Sequence, residues 1–197
     1  RSKRAVPVFG FDDIAIVPNR RTRGIEEVNL GWRIDALTFD FPIVAAPTDS
    51  VMSPATAIAF GKLGGLGVLN LEGLWTKYDD PTGLLEELAG IEDQVAATRR
   101  MQELYAAPIQ PELIIARMSE LRAAGVPVAG ALSPQTCAEF APVIEKAGLD
   151  FFVIRGTTVS AEHVSTVSEP LNLKKFIYEL DVPVIVGGCA TYQSALH

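Results

Sequence analysis

The residues of this chain able to do more than pack are few: Cys137, Cys189, His163, His197 and one glycine-rich run. Cys189 follows Val186-Gly187-Gly188 at the mouth of a predicted strand, where a thiol could serve as a nucleophile. A nucleophilic thiol needs a base or a positive field beside it, and Ala190, Thr191 and Tyr192 supply neither. The preferred reading is a small apolar filler, since free cysteine is among the most buried residue types. His163 closes the loop Arg155–His163 after another predicted strand; a surface or helix-cap role is preferred to acid–base chemistry. Neither histidine has a cysteine or carboxylate at metal-ligand spacing, so no metal site is expected. Gly64-Gly65-Leu66-Gly67 precedes a strand instead of following one. It therefore cannot cradle a phosphate at a helix N-terminus, and it reads as a helix stop. Arg20-Arg21-Thr22-Arg23, the one dense basic cluster, reads as a solvated turn, with a subunit or phosphate contact as the alternative.

The elements that must position these residues alternate along the chain. Short apolar runs bounded by Gly or Pro lie at 42–47, 66–70, 126–132, 151–154 and 182–186. Continuous apolar runs of this length are strands buried on both faces, the mark of a parallel sheet. Between them lie helices with start and stop signals. Ser53-Pro54, Ser133-Pro134 and Asp80-Pro81 each place a cap before a proline at the first helical position. Gly64-Gly65, Gly125 and Gly148 sit where helices should stop. Leu113, Ile114, Met118 and Leu121 form one helical face and are expected to pack on the sheet. The long 71–125 connection reads as helical over 82–90, 92–105 and 112–124. Strand–helix alternation implies right-handed βαβ units. Two architectures fit: an open doubly wound sheet, or part of a parallel (β/α)8 TIM barrel.

Composition sets the outer limits. With 197 residues, 48% hydrophobic and 21% charged, the chain can bury a sizeable core. A net charge of −7 and a pI near 4.9 argue against a nucleic-acid partner. No apolar run is long enough to span a bilayer, and no signal-type segment follows Arg1-Ser-Lys-Arg4. Two cysteines without CxxC spacing fit a reducing cytoplasm, which is the expected location.

Three stretches carry a resemblance to a known family. Phe11-Asp-Asp-Ile-Ala-Ile-Val-Pro18 resembles the N-terminal signature of the IMP dehydrogenase / GMP reductase family. Pro42-Ile-Val-Ala-Ala-Pro-Thr-Asp-Ser-Val51, continuing to Leu63-Gly-Gly-Leu-Gly-Val68, resembles that family's first βαβ unit. Gly187-Gly188-Cys189-Ala190-Thr191 resembles its turn after the fifth barrel strand. Leu71-Glu-Gly-Leu-Trp75 and Gly156–His163 look like a compact bacterial branch without the regulatory CBS pair. On this resemblance the chain is the N-terminal part of a single TIM-barrel domain, about its first five strands.

The resemblance implies an oxidoreductase of purine nucleotide biosynthesis. In the family a cysteine attacks C2 of IMP, hydride passes to NAD, and water releases XMP; GMP reductases use a related adduct. NAD or NADP is therefore the implied cofactor, IMP or GMP the implied substrate, and a homotetramer the common assembly. Residue by residue, Ala46, Pro47 and Thr48 fall where the first βα loop packs on the purine base, with Thr48 in place of the family's Met. Asn70 falls on the rim after the second strand. Arg155, Gly156 and Thr157 fall in the cofactor loop after the fourth, with Arg155 in place of a family Asp. Gly187 and Gly188 fall near the nicotinamide, with Gly188 in place of a family Asn. Cys189 lies one strand before the family nucleophile. That nucleophile, the potassium site and the phosphate loops are expected beyond His197, so no catalytic residue is assigned here and the chain alone is not expected to run the reaction. The rival readings are a GMP reductase, a non-catalytic remnant or split-barrel partner whose exposed sheet edges aggregate or recruit a complement, and a flavodoxin-like domain.

Overall fold

The computed structural model describes residues 7, 9–18, 20–21, 24–156, 171–189 and 191–196. Two compact units divide it, Arg1–Leu30 and Gly31–His197. The first contains two 3-10 turns, Phe11–Asp13 and Ile25–Glu27, and the Asp13 carboxylate accepts the Gly10 N–H at 2.9 Å.

The second unit opens with an antiparallel hairpin, β1 (Trp32–Ile34) and β2 (Leu37–Phe39). Its two-residue turn puts Asp35 at φ 49°, a left-handed position that Asp tolerates better than most residues. This hairpin is not among the elements expected from the sequence. Its signal is the alternation of Trp32, Ile34, Leu37 and Phe39, in strands too short to stand out.

The parallel elements follow: β3 (Val44–Ala45), α1 (Pro54–Lys62), β4 (Leu66–Gly67), β5 (Leu69–Asn70), α2 (Thr82–Ala89), α3 (Gln94–Tyr105), α4 (Pro111–Ala123), β6 (Ala129–Leu132), α5 (Cys137–Ala147), β7 (Phe151–Arg155), α6 (Leu173–Glu179), β8 (Val184–Gly187) and α7 (Tyr192–Leu196). β3 pairs with β4, and β5, β6, β7 and β8 pair in that order. β4 and β5 are halves of one extended run broken at Val68. The first half pairs backward and the second forward, the stagger that barrel closure requires. The strands therefore stand in sequence order without reversal. A doubly wound sheet reverses at a switch point, so this is an arc of a barrel, and the flavodoxin-like reading is excluded. Right-handed crossovers in one direction put the helices on one side; α1 packs beside α4, and α4 beside α5.

The period-2 alternation of strand side chains divides the core in two. Toward the helices, Leu69, Leu71, Leu132, Phe152 and Ile154 meet Ile114, Met118 and Leu121 of α4 and Phe140 and Ile144 of α5. Toward the inner face, Leu66, Val68, Ala129, Ala131 and Phe151 meet the hairpin through Phe39, whose ring lies 6.0 Å from that of Phe151. Each fully buried Leu, Ile or Phe contributes roughly 1.5–3 kcal/mol.

The helix signals largely hold. Ser53 caps α1, accepting the Thr56 N–H at 3.1 Å, with Pro54 in the first turn. Gly64, Gly125 and Gly148 all carry positive φ just after helices. One start is corrected: α5 begins at Cys137, after a turn closed by the Thr136 N–H on the Ser133 carbonyl, with the Ser133 N–H and hydroxyl both donating to Glu72. α2 begins at Thr82 as expected, with Pro81 at the cap position and the Thr82 N–H accepted by the Asp80 carboxylate at 3.0 Å. The strands are shorter than the apolar runs where proline removes a donor: β6 starts beyond Pro127 and β8 beyond Pro183. The 71–125 segment contains a 3-10 turn (Leu74–Thr76) and three helices, and no strand.

Candidate active-site rim

The same alternation selects the residues at the strand C-terminal ends. On β7, Phe151 and Val153 face inward, so Arg155 does too; on β8, Ile185 and then Gly187 face inward. Asn70 continues the inward series Leu66, Val68, and Ser133 continues Ala129, Ala131. Arg155 and Gly187 are register partners. By register Asn70 stands level with Ala131, Val153 and Ile185, and Ser133, Arg155 and Gly187 stand one inward-facing step above them. In a parallel barrel this is the end where loops build the active site.

The rim loops are laced to one another. Arg155 Nη1 donates to the Pro47 carbonyl at 2.7 Å, joining the end of β7 to the loop after β3. Gly156 N–H bonds to Gly187 C=O at 2.8 Å, and Gly188 N–H to Gly156 C=O at 2.9 Å, joining the ends of β7 and β8. The Glu72 carboxylate accepts the Ser133 N–H at 2.9 Å and the Ser133 and Thr136 hydroxyls at 2.8 Å each, joining the ends of β5 and β6. Within the first loop, Thr48 N–H bonds to Ala46 C=O, while Val51 and Met52 N–H bond to Thr48 C=O. The Thr48 hydroxyl lies 3.4 Å from that of Ser50. Asn70 is buried, and its Oδ1 accepts the Glu72 N–H at 3.2 Å.

A second anchor reaches this loop from outside the sheet. Asp49 Oδ2 accepts the Leu74 N–H at 2.8 Å and the Tyr105 hydroxyl from the last residue of α3. Its other oxygen has no donor among the described residues and lies against Gly73, where a Cβ would sit 2.1 Å away. Burial raises the Tyr105 hydroxyl pKa above its ordinary value, and the bond to Asp49 and its charge raise it further, opposed by Arg155. Burial lowers the Lys77 pKa, opposed by the charges of Glu72 and Asp49; its Nζ donates to the Ala107 carbonyl at 2.6 Å.

The arrangement brings Pro47 together with Arg155, and Gly156 with Gly187 and Gly188, as direct hydrogen-bonding partners. Ala46 and Thr48 belong to the same loop as Pro47, and Asn70 joins the rim by strand parity. Thr157, His163 and His197 lie outside the described residues, as do Thr22 and Arg23 of the basic cluster. Cys137 is buried at the start of α5; burial and then the Glu72 charge push its thiol up to about 12. Cys189, expected as a buried filler, is exposed instead, because β8 has already ended at Gly187. The described rim therefore offers binding groups and fixed main chain instead of an activated nucleophile. No cluster of metal-ligating residues occurs among the described residues. Asp49, Glu72 and Tyr105 escaped the sequence reading as functional groups. The first two had a signal, a carboxylate just past a buried run. Tyr105 had none, because its partner is 56 residues away.

A parallel barrel arc with a polar rim at the strand C-termini defines a class of enzyme scaffold, not an activity. Comparison supplies the family: residues 8–197 match the IMP dehydrogenase / GMP reductase domain, and the chain belongs to that family. An uncharacterized oxidoreductase of Mycobacterium tuberculosis is 47% identical over 193 residues, covering 96% of this chain and 52% of that protein. The crystal structure of an IMP dehydrogenase/GMP reductase-like protein from Corynebacterium glutamicum superposes with a TM-score of 0.87 at 48% identity, over 94% of this chain and 50% of that one. An inosine-5'-monophosphate dehydrogenase of Methanocaldococcus jannaschii is 35% identical over 66 residues, 34% of this chain and 13% of that enzyme. The chain spans about half the length of the curated relatives it matches over most of its own length. No helix among the described residues is long and apolar enough to cross a membrane.

Proposed function

We propose that this chain supplies part of the nucleotide and cofactor face of an IMP dehydrogenase-type oxidoreductase, which converts IMP to XMP with NAD. The observation that carries the reading is the lacing of the rim. The residues that the family resemblance assigns to nucleotide and cofactor, Pro47, Arg155, Gly156, Gly187 and Gly188, bond directly to one another at the strand C-termini. Preorganised main chain of this kind is what orients a bound substrate.

In this reading the purine base rests on Ala46, Pro47 and Thr48. The nicotinamide half of the cofactor lies toward Asn70, Arg155, Gly156 and Gly187–Gly188, with Thr157 adjoining. The residues suit such a group. A Cβ added at Gly187 would meet nothing within 4 Å, so a flat ring can approach the backbone there. Arg155 places a cation on the face that would meet an anionic dinucleotide. NAD, when bound, supplies the hydride acceptor. This chain's part would be to hold the nucleotide and the cofactor at the rim and to keep the loop after β3 from yielding. The nucleophilic cysteine and potassium site of the family belong to the portion of the relatives that this chain does not span. The reading takes the chain as part of one barrel domain without a CBS pair, in a cytoplasmic homotetramer.

The test is to supply the full protein with IMP and NAD and follow NADH formation. Turnover to XMP is expected. Oxidation of NADPH with GMP would make the protein a GMP reductase instead. Absence of both reactions, with no IMP binding by calorimetry, would overturn the reading.

A further inference from the structure

We infer that Tyr105 is a positioning residue, which fixes the Pro47–Thr48 loop through the Asp49 carboxylate and so sets the affinity of the nucleotide site; this rests on the reading proposed above. Among the described residues, the loop after β3 has three tethers from beyond its own turns and the adjoining helix α1. Arg155 holds Pro47 from β7. The Leu74 N–H and the Tyr105 hydroxyl both hold Asp49 Oδ2. The first two come from the sheet and the turn after it. The third comes from α3, part of a helical pair that lies between β5 and α4.

That pair is bound to the rest of the unit chiefly at one end. α2 buries no residue, and α3 buries only Leu104. The junction after α3 is gripped by Tyr78, whose hydroxyl donates to the Leu104 carbonyl at 3.0 Å, and by Lys77 on Ala107. Tyr105 lies inside this grip. Its hydroxyl is therefore delivered to Asp49 by a rigid support, whereas the flanking surface of α2 and α3 stays exposed. The other Asp49 oxygen, without a donor among the described residues, is packed on Gly73 and gives no room for a replacement donor. A hydrogen bond to a charged group is among the stronger ones, and losing it frees Asp49 from one of its two donors.

The test uses Tyr105→Phe and Asp49→Asn in the full protein, read by hydrogen exchange at Val51, Met52 and Leu74 and by IMP kinetics. Tyr105→Phe is expected to speed exchange at those amides and raise the IMP Kd and KM about tenfold. It should leave kcat within about twofold, a split between KM and kcat that mere loss of structure would not produce. The double variant should be no worse than the more damaging single one, since both cut the same link. Arg100→Gln, which loosens α2 from α3 by removing the bond to Glu87, should leave KM alone. Unchanged exchange in Tyr105→Phe, or faster exchange with unchanged IMP affinity, would overturn the inference. A wild-type protein that binds no IMP would overturn the functional reading and the ligand named here; the exchange data would then still separate a true clamp from an absent one.

Discussion

At Gly67 the sheet lies close against helix α1, and giving it a side chain is a sharp test of the packing that carries the rim. A Cβ on Gly67 would lie 2.9 Å from Ala57 Cα, 3.1 Å from its Cβ and 3.2 Å from its carbonyl oxygen. Carbon atoms pack at about 3.5–4.0 Å, so α1 must retreat by about 0.6 Å or the strand must bend. Overpacking of this kind costs about 1–3 kcal/mol. Stiffening the unfolded chain returns about 0.4–1 kcal/mol. Gly67→Ala should therefore destabilise by about 1–2 kcal/mol, a fall of roughly 2–8 °C in melting temperature for a chain of this size. Because the first contact is with Ala57 Cα, trimming the neighbour does not relieve it. Ala57→Gly adds its own helix penalty of about 1 kcal/mol, so the double variant should melt lower still. A thermal melt followed by circular dichroism decides the matter. An unchanged melting temperature in Gly67→Ala, or recovery in the double variant, would refute the packing argument.

Gly187→Ala should leave stability within about 0.5 kcal/mol, since the added methyl meets nothing. It should nevertheless weaken cofactor binding; calorimetry showing full NAD affinity would count against the placement of the ring. Native protein treated with iodoacetamide at neutral pH should be labelled at Cys189, which is exposed, and spared at Cys137, whose thiol is buried and pushed up to about 12. Mass spectrometry finding an adduct on Cys137 in the folded state would contradict this. Glu87 is held below its ordinary pKa first by the hydrogen bond from Arg100, so the link stabilises at neutral pH and is lost as acid protonates the carboxylate. The melting temperatures of Glu87→Gln and wild type should accordingly differ at pH 7 and converge as the pH falls below the ordinary glutamate range and through the lowered folded pKa; a gap that persists in strong acid would show that the charge is not responsible.

The barrel arc was legible in the sequence because buried parallel strands and capped helices leave local marks. Pro42–Pro47 and Phe151–Ile154 are apolar without interruption, and Ser53-Pro54 and Gly148 punctuate helices wherever they occur. Proline shortened two strands for a reason that is also local. The sequence could not choose between a barrel and a doubly wound sheet. That choice lies in the order of pairing, which no single segment records. The candidate site divides in the same way. Positions at or just past strand ends, such as Asn70, Arg155 and Pro47, follow from strand location and family resemblance. The bond from Arg155 to Pro47 and that from Tyr105 to Asp49 do not, because each joins residues brought together only by the closed arrangement of the loops. Cys189 was misjudged because burial was inferred from residue type, and the strand that would have buried it ends two residues earlier.

The helical pair between β5 and α4 bears on how such a scaffold can change over evolutionary time. The bond from Glu72 to Ser133 spans 61 residues across that detour, whereas the comparable bond from Val128 to Asp150 spans 22 across a plain βαβ step. The closure entropy of a chain grows only with the logarithm of its length, so the longer excursion costs about 0.9 kcal/mol more than the shorter one. The strands on either side still pair in register, Asn70 with Ala131. This connection is thus an inexpensive port for new sequence. Helices, or a whole module, can be lengthened, shortened or exchanged there with the sheet left unaltered, so long as the residue that re-enters beside the rim still presents a donor to Asp49.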